Sequence, residues 1–119
     1  MESSFAELYP DVAAAGSLAV ALGQVAADLG LDLGELQSAD PMVLLEWVVV
    51  PSAAPDGRPL WIRTAPVERV FNVDGRSVDG RRLRGGTPDL DEVARAASAW
   101  RNGASLAEIQ LVAAFVNGA

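Results

Sequence analysis

The stretch Leu60-Trp61-Ile62-Arg63-Thr64 decides the fold, because apolar and polar side chains alternate along it. Such alternation is typical of a β-strand with one buried face and one open face. Strand-forming residues also fill 42–50 before it, and 67–73 and 81–84 after it, with turn-forming residues between these stretches. We therefore predict three or four strands joined as an antiparallel meander, with the last strand ending at Gly85-Gly86. Two pairs, Asp74-Gly75 and Asp79-Gly80, are each typical of a tight hairpin turn, and the sequence leaves the choice open.

Helical patterns flank the predicted strands on both sides. Before them, a stripe of apolar residues at steps of three and four predicts a helix over about 11–29, preceded by a short helical turn with the capping box Ser4-Phe5-Ala6-Glu7. After them, Thr87-Pro88-Asp89 begins a helix that ends at Asn102-Gly103. A second capping box, Ser105-Leu106-Ala107-Glu108, begins a helix whose apolar stripe reaches Val116. We predict a single α+β domain over residues 1–119: an N-terminal helix, the meander, and a C-terminal helical hairpin packed on one sheet face.

Glycine recurs every seven residues along the first predicted helix, at Gly16, Gly23 and Gly30. Small residues let another backbone approach closely, which favours a helix–helix contact, including one between subunits. Alternatively, the helix lies on its own sheet and the small residues fill tight space. The sequence leaves both interpretations open.

The composition excludes several kinds of chemistry. The 119 residues include no cysteine and no histidine, which excludes disulfides, thiolate nucleophiles, Ser–His and Cys–His dyads, and ordinary zinc sites. We expect no metal and no cofactor. The net charge of −7 disfavours binding to nucleic acid or to an anionic membrane surface. No apolar run is long enough to span a membrane, and the acidic start is unlike a signal peptide, so we expect a cytoplasmic protein.

The charges are distributed unevenly along the chain. Residues 1–57 carry nine acids and no basic residue, whereas residues 58–119 carry all nine arginines and seven acids. Four of these arginines are close in sequence: Arg76, Arg81, Arg82 and Arg84. They form a site for an anion or an acidic partner, or they balance the acidic half within the fold. Both interpretations remain open.

The candidate site is centred on Glu46, the one charged residue in the strand-forming stretch 42–50. A carboxylate there must reach solvent, pair with an arginine, or have its pKa raised. One interpretation pairs Glu46 with Arg63 on the neighbouring strand. In the other, Glu46 and Arg63 are catalytic: Glu46 moves a proton, Arg63 holds an oxyanion or carboxylate, and Trp61 stacks on the substrate. Trp47, Arg82 and Arg84 complete the predicted substrate-binding set, although tryptophans can equally belong to the core.

Residues 86–108 carry a further pattern, which matches at Thr87, Asp89, Leu90, Glu92, Val93, Ala94, Arg95, Ala96, Ala99, Trp100, Gly103, Ser105, Leu106 and Glu108. In this pattern the chain resembles a family of natural-product biosynthesis proteins from high-GC, antibiotic-producing bacteria. Residues 9–16 are similar to the opening of that family. The end of the chain departs from it, because Ala114-Phe115-Val116 replaces an aromatic-Pro-aromatic run. The matched residues are caps and core positions, so the resemblance implies a shared fold and a role in a specialised-metabolite pathway, with no reaction to carry over.

The sequence thus predicts a small, cofactor-independent protein that binds a small-molecule or peptide intermediate between the sheet and its helices. If it is an enzyme, cyclisation or isomerisation suits the residues present, because the protein would work mainly by holding a reactive conformer. The alternative is a non-catalytic accessory protein that binds a partner biosynthetic enzyme or forms a homodimer through the first helix. A third hypothesis, an acidic protein that neutralises a basic partner, depends on charge alone.

Overall fold

The structure, a computed structural model, describes residues 5–37, 47–52 and 57–118. The predicted α+β class is confirmed, with an antiparallel sheet and helices towards both ends of the chain. In chain order the elements are α1 (Phe5–Leu8), α2 (Pro10–Ala15), α3 (Leu18–Asp28), β1 (Trp47–Val50), β2 (Leu60–Thr64), β3 (Phe71–Arg76), β4 (Arg82–Thr87), α4 (Leu90–Arg101), α5 (Leu106–Val112) and β5 (Asn117–Gly118). Within the described ranges, no helix has the length and apolar character needed to cross a membrane.

The sheet has five strands in the described residues, one more than the longest meander predicted. They lie in the order β1-β2-β3-β4-β5, and each pairs antiparallel with the next. Strand β2 has the predicted bounds, whereas the predicted strand over 42–50 is described only from Trp47 onward, and its first part lies outside the described residues. The added strand arises because α5 ends at Val112, short of the predicted Val116, and the chain returns beside β4.

The turns account for the other differences from the predicted strands. Residues 65–70 form the loop between β2 and β3, closed by a hydrogen bond from the Ala65 N–H to the Val70 carbonyl at 2.9 Å, so β3 begins at Phe71 and not at Val67. Asp79-Gly80 forms the last hairpin turn: the Gly80 N–H donates to the Ser77 carbonyl at 2.9 Å, and Gly80 has a φ of 78°. Strand β4 continues past Gly85-Gly86, because both glycines stay paired with β3.

The predicted N-terminal helix is broken in two. Gly16 takes a left-handed conformation, with a φ of 91°, and Ser17 then caps α3 by accepting a hydrogen bond from the Val20 N–H at 3.0 Å. Gly30 also has a positive φ, just beyond the end of α3. Of the three spaced glycines, only Gly23 is inside a helix, so the seven-residue spacing marks helix ends and does not form a contact stripe.

One face of the sheet forms the core with the helices. The buried sheet side chains are Val48, Val50, Leu60, Ile62, Phe71, Val73 and Leu83, and they belong to one cluster with Val12, Leu18, Leu22, Val93, Ala97 and Ile109 from the helices. The predicted helical hairpin is present as α4 and α5, and the Ser105–Glu108 capping box is formed as expected. Apolar burial on this face leaves the alternate side chains of every strand pointing away from the core.

Tyr9 joins the N-terminal helices to the β2–β3 loop. Its side chain is fully buried, and its ring packs on Phe5 and Phe71 at centroid distances of 4.8 and 5.3 Å. Its hydroxyl accepts a hydrogen bond from the Val70 N–H at 3.0 Å and lies 2.7 Å from the Ala65 carbonyl oxygen, to which it donates. This one hydroxyl therefore satisfies backbone groups of a loop that α1 and α2 cover.

Arg69 secures the same junction from the outside. Its guanidinium forms a two-pronged pair with Asp11, at 2.9 and 3.0 Å, and also donates to the carbonyls of Leu8 and Pro88. Its Cζ lies 5.6 Å from the centroid of the Tyr9 ring, within range of a cation–π contact. The loop, helices α1 and α2, and the start of α4 are thus held by one side chain.

We expect Tyr9→Phe to lower the free energy of unfolding by about 1–3 kcal/mol, because it removes the hydroxyl and leaves buried backbone groups without their partner. Urea unfolding followed by circular dichroism measures this change. A loss below about 0.5 kcal/mol would show that the loop carbonyls find water or other partners, and would contradict this role of Tyr9.

The Asp11–Arg69 pair predicts a pH dependence of stability. The hydrogen bonds from Arg69 hold the pKa of the Asp11 carboxyl below its usual value. The pair therefore stabilises the folded state fully above the unfolded pKa of about 3.9, and this contribution is lost as the pH falls through the lower, folded pKa. Asp11→Asn should be less stable than the unaltered protein near neutral pH, and the difference should shrink as the pH falls through the folded pKa of Asp11. Asp28→Asn is the control, because it removes the same charge at the end of α3 and leaves the Asp11–Arg69 pair in place. Its free energy of unfolding should still fall in acid by the amount that this pair contributes.

Candidate functional site

The side of the sheet that points away from the core is here called the open face. Strand β2 alternates between buried Leu60 and Ile62 and exposed Trp61 and Arg63, and the neighbouring strands follow the same alternation. Its outward side chains in the described residues are Trp47, Val49, Trp61, Arg63, Asn72, Asp74, Arg76, Arg82, Arg84 and Asn117. It combines aromatic rings with positive charge.

Trp47, Trp61 and Arg63 contact one another on the open face. The register places Trp47 opposite Arg63 and Val49 opposite Trp61. The two indole rings meet edge to face at a centroid distance of 5.6 Å, and the Arg63 Cζ lies 5.5 Å from the Trp47 ring centroid. The side chain of Trp61 is 41% exposed, so it offers an apolar surface to solvent instead of joining the core.

The structure brings together five of the six residues predicted for the site. Trp47, Trp61, Arg63, Arg82 and Arg84 all belong to the open face. Glu46 lies outside the described residues, so its pairing with Arg63 and its role in proton transfer remain predictions. The contact partner that the structure gives Arg63 is the Trp47 ring.

Several depressions border the open face in the described residues, and two of them are neighbours. The first, here called the central depression, is bordered by Trp47, Trp61, Arg63, Asn72, Asp74, Arg84 and Asn117. The second, here called the end groove, lies where β2, β3 and β4 meet the end of α4, and has a volume of about 860 Å³. Trp61 and Asp74 border both, so the two depressions are neighbours.

The end groove contains arginines from four parts of the chain. Arg58 precedes β2, Arg76 ends β3, Arg82 begins β4 and Arg101 ends α4. Among the described residues that line the groove, Asp74 is the only acid. Its carboxylate lies 3.6 Å from the Arg82 guanidinium, with both side chains about half exposed, so solvent weakens this pair. The groove therefore carries a net positive charge in a chain whose net charge is −7.

Backbone carbonyls hold two of these arginines in place. Arg101 donates to the Pro51 carbonyl at 2.7 Å, and Arg76 donates to the Gly80 carbonyl at 3.1 Å. The Trp100 indole N–H donates to the Arg76 carbonyl at 2.6 Å, and Trp100 is only 7% exposed. A guanidinium has five N–H donors, so one bond to a carbonyl does not use up the hydrogen-bonding capacity of either arginine.

The arginine cluster of the sequence is divided by the fold. Arg76, Arg82 and Arg84 are on the open face, whereas Arg81 is in the hairpin turn. In the parts of the chain that the structure describes, the acidic N-terminal half pairs with Arg69, through Asp11, and not with this cluster. This favours the interpretation of the cluster as an anion site over that of a simple balance of charge.

Sequence reasoning missed the part that α4 plays in the site. Arg101 is distant from the cluster in sequence, and the packing of α4 against the sheet places it in the groove with Arg76. Arg58 enters the same groove because it closely precedes β2, the strand that pairs with β3. Trp100, which the sequence leaves open as a pocket residue or a core residue, borders the groove and is almost fully buried. Arg76 was part of the predicted cluster, but a two-residue turn at Asp79-Gly80 would have paired it with Leu83, whereas the turn over residues 78–80 pairs it with Arg82. Within the described ranges, no group of three or more acidic residues is arranged to hold a metal ion.

The fold and the site define a small α+β protein with one sheet face packed by helices and an arginine- and tryptophan-bearing face left open. Comparison of the chain with protein-family models, with curated proteins and with solved structures found no match in any of the three. The resemblance of residues 86–108 to natural-product biosynthesis proteins therefore stays a prediction. The function has to be argued from the geometry of the open face.

We expect Trp100→Phe to lower the free energy of unfolding by about 1–3 kcal/mol, because it leaves the Arg76 carbonyl without its buried donor. Urea unfolding measures this loss, and the amide resonances of β3 should shift with it. Trp61→Phe is the matched control, since no hydrogen bond of its indole is described and its side chain is half exposed. An equal loss in both variants would contradict the positioning role of Trp100.

Proposed function

We propose that the protein binds an organic anion on the open face, as a cofactor-independent member of a specialised-metabolite pathway. The ligand is an intermediate of that pathway or a peptide precursor. The observation that carries the proposal is the juxtaposition of Trp47, Trp61 and Arg63 with Arg82 and Arg84 on one sheet face. The pathway itself is suggested by the resemblance of the sequence alone.

The chemistry of the open face fits a ligand with an apolar body and an acidic group. Arginine forks suit carboxylate and phosphate groups, and the half-exposed Trp61 ring offers a flat apolar surface beside them. Small-molecule sites are usually concave and combine aromatic walls with a few placed polar groups. The central depression and the end groove have this combination.

The shape favours an elongated ligand. Asn72 lies in the central depression and Arg76 in the end groove, four residues apart on β3. At roughly 3.3 Å per residue, this separation is about 13 Å. A molecule of that length, or a short peptide, would contact both depressions at once.

Catalysis is an extension of this binding function. Arg63 is exposed beside Trp47 and would hold a carboxylate or an oxyanion, while Glu46 would move the proton. A bound conformer held in this way would suit cyclisation or isomerisation. In that case Arg63→Ala would abolish turnover and leave the fold intact, and unchanged turnover would remove the catalytic proposal.

The accessory alternative depends on the first helical region as an interaction surface. That surface is small, because α3 packs Leu18, Ala21, Leu22 and Ala26 into the core of its own chain. Val20 is 45% exposed, and Gly16 and Gly30 end helical segments. We therefore place ligand binding first and the accessory role second.

Native mass spectrometry of the protein, captured gently from its own producing cells, tests the proposal. We expect a bound small molecule or peptide with at least one acidic group. The double variant Arg63→Ala/Arg84→Ala should lose it, because the central depression then has no arginine fork. Arg95→Ala is the matched control, since Arg95 is on α4 and borders neither depression.

The other outcomes each count against the proposal. A captured partner protein, or a homodimer with nothing else bound, would favour the accessory role. A chain that carries no ligand would also contradict the proposal. A ligand retained by the double variant would place the binding site elsewhere on the protein.

A further inference from the structure

Arg76 and Arg82 form a like-charged pair across two neighbouring strands, an arrangement that sheets normally avoid. They are direct partners in the β3–β4 register, and both are on the open face. Like charges directly opposite each other on neighbouring strands are destabilising. Asp74 relieves this only in part, because its carboxylate reaches Arg82 alone, at 3.6 Å and in contact with solvent.

The fold increases the positive charge around this pair. Arg58 and Arg101 line the same groove, so four arginines surround one described acid, Asp74. Two of the four, Arg76 and Arg101, are anchored by backbone carbonyls, and one such bond uses only one of the five N–H donors of a guanidinium. A ligand with one carboxylate group would leave most of this positive charge unbalanced, whereas a ligand group with two negative charges and several acceptor oxygens would match it.

We propose that the end groove binds a dianionic phosphoryl group, held between Arg76 and Arg82. The ligand is then a phosphate monoester whose organic part rests on Trp61 and continues into the central depression. The assignment of the organic part rests on the proposed function, whereas the phosphoryl site depends on the groove alone. Trp100 acts as a positioning residue, because its indole holds the backbone of Arg76.

Phenyl phosphate and phenyl sulfate are matched probes for this site. They have nearly the same shape, but at about pH 7.5 the phosphate ester carries close to two negative charges and the sulfate ester carries one. We expect phenyl phosphate to bind at least about tenfold more tightly, measured by titration calorimetry. In two-dimensional NMR it should shift the Trp61 and Trp100 indole signals and the amides of Arg76 and Arg82.

The ratio between the probes should fall with pH. A phosphate monoester loses its second charge around pH 6, whereas the sulfate keeps its single charge and Arg58, Arg76, Arg82 and Arg101 stay protonated. Asp74, the one acid among the described residues that line the groove, is present in both measurements, so the ratio compares the two ligands. At about pH 5 the two probes should therefore bind with similar affinity.

Substitutions locate the site. Arg76→Gln and Arg82→Gln should each weaken phenyl phosphate binding about tenfold, because each removes a charge-assisted contact. Arg95→Gln should leave the affinity unchanged. Arg76→Lys is a second variant for the case that circular dichroism shows poor folding of Arg76→Gln. It keeps the positive charge but loses the forked guanidinium, so it should bind phenyl phosphate more weakly than the unaltered protein does.

Two results would overturn the phosphoryl site: equal affinity for the two probes at about pH 7.5, or full binding in both glutamine variants. Its failure can be distinguished from failure of the proposed function. Phenyl phosphate bound through Arg76 and Arg82, in a protein that carries no ligand from its cells, would keep the phosphoryl site and remove the proposed function. In the opposite case the protein captures a carboxylate from its cells, the double variant Arg63→Ala/Arg84→Ala loses it, and phenyl phosphate binds no more tightly than phenyl sulfate. That result would keep the proposed function and remove the phosphoryl site.

Discussion

The buried hydroxyl of Tyr9 is the interaction on which the arrangement of helices and sheet depends. It is the only tyrosine in the chain, and it provides an aromatic body for the core and a polar group for the β2–β3 loop. The loop turns its backbone groups inward, where water does not reach them, and Tyr9 satisfies them there. Arg69 then covers the junction and pairs with Asp11. With α1 and α2 held at this place, the inner face of the sheet is closed and the outer face stays open.

This arrangement separates the two halves of the charge distribution. Helices α1 to α3 carry acids and no basic residue, whereas the strands carry Arg63, Arg76, Arg82 and Arg84 on the outward side. Because a strand alternates, Arg82 and Arg84, two positions apart on β4, add positive charge to a single face. The acidic composition of the whole chain therefore gives no guide to the local field at the open face, which is set by the few charges nearest to it.

Much of the fold could be predicted from the sequence where a local rule agrees with the packing. The alternation of β2 and the Ser105–Glu108 capping box appear as expected. Helix α4 is present, but its cap is Asp89 and not Thr87, so the helix begins two residues later than the Thr87-Pro88-Asp89 pattern predicts. The structure differs from the prediction where a contact between residues distant in sequence decides the local conformation. The apolar stripe continued through Gly16, so the periodicity concealed the break, and the strand propensity of Val67 gave way to the loop that Tyr9 holds. Strand β5 has two residues, too few for any pattern to reveal.

The residues of the site fall into the same two groups, those that a local pattern predicts and those that a distant contact decides. Trp47, Trp61 and Arg63 share a face because of alternation and register, which a sequence displays, so these residues could be predicted as a group. Arg101 joins the site through the packing of α4 against the sheet, a contact between distant segments that a sequence does not display.

The significance of the Arg76–Arg82 pair comes from two observations together: the charges, which the sequence shows, and the strand register, which the structure shows. A well-specified sequence satisfies local propensity, packing and charge together, and the exceptions concentrate where a protein performs its function. In the β3–β4 ladder the other outward pairs follow the rule: Asp74 lies opposite Arg84, and Asn72 lies opposite Gly86. In this ladder, like charge faces like charge only at the end that opens into the end groove, where Arg58 and Arg101 add to it. Within the described residues a single half-exposed carboxylate opposes this charge, so the groove itself favours an anion from outside the chain.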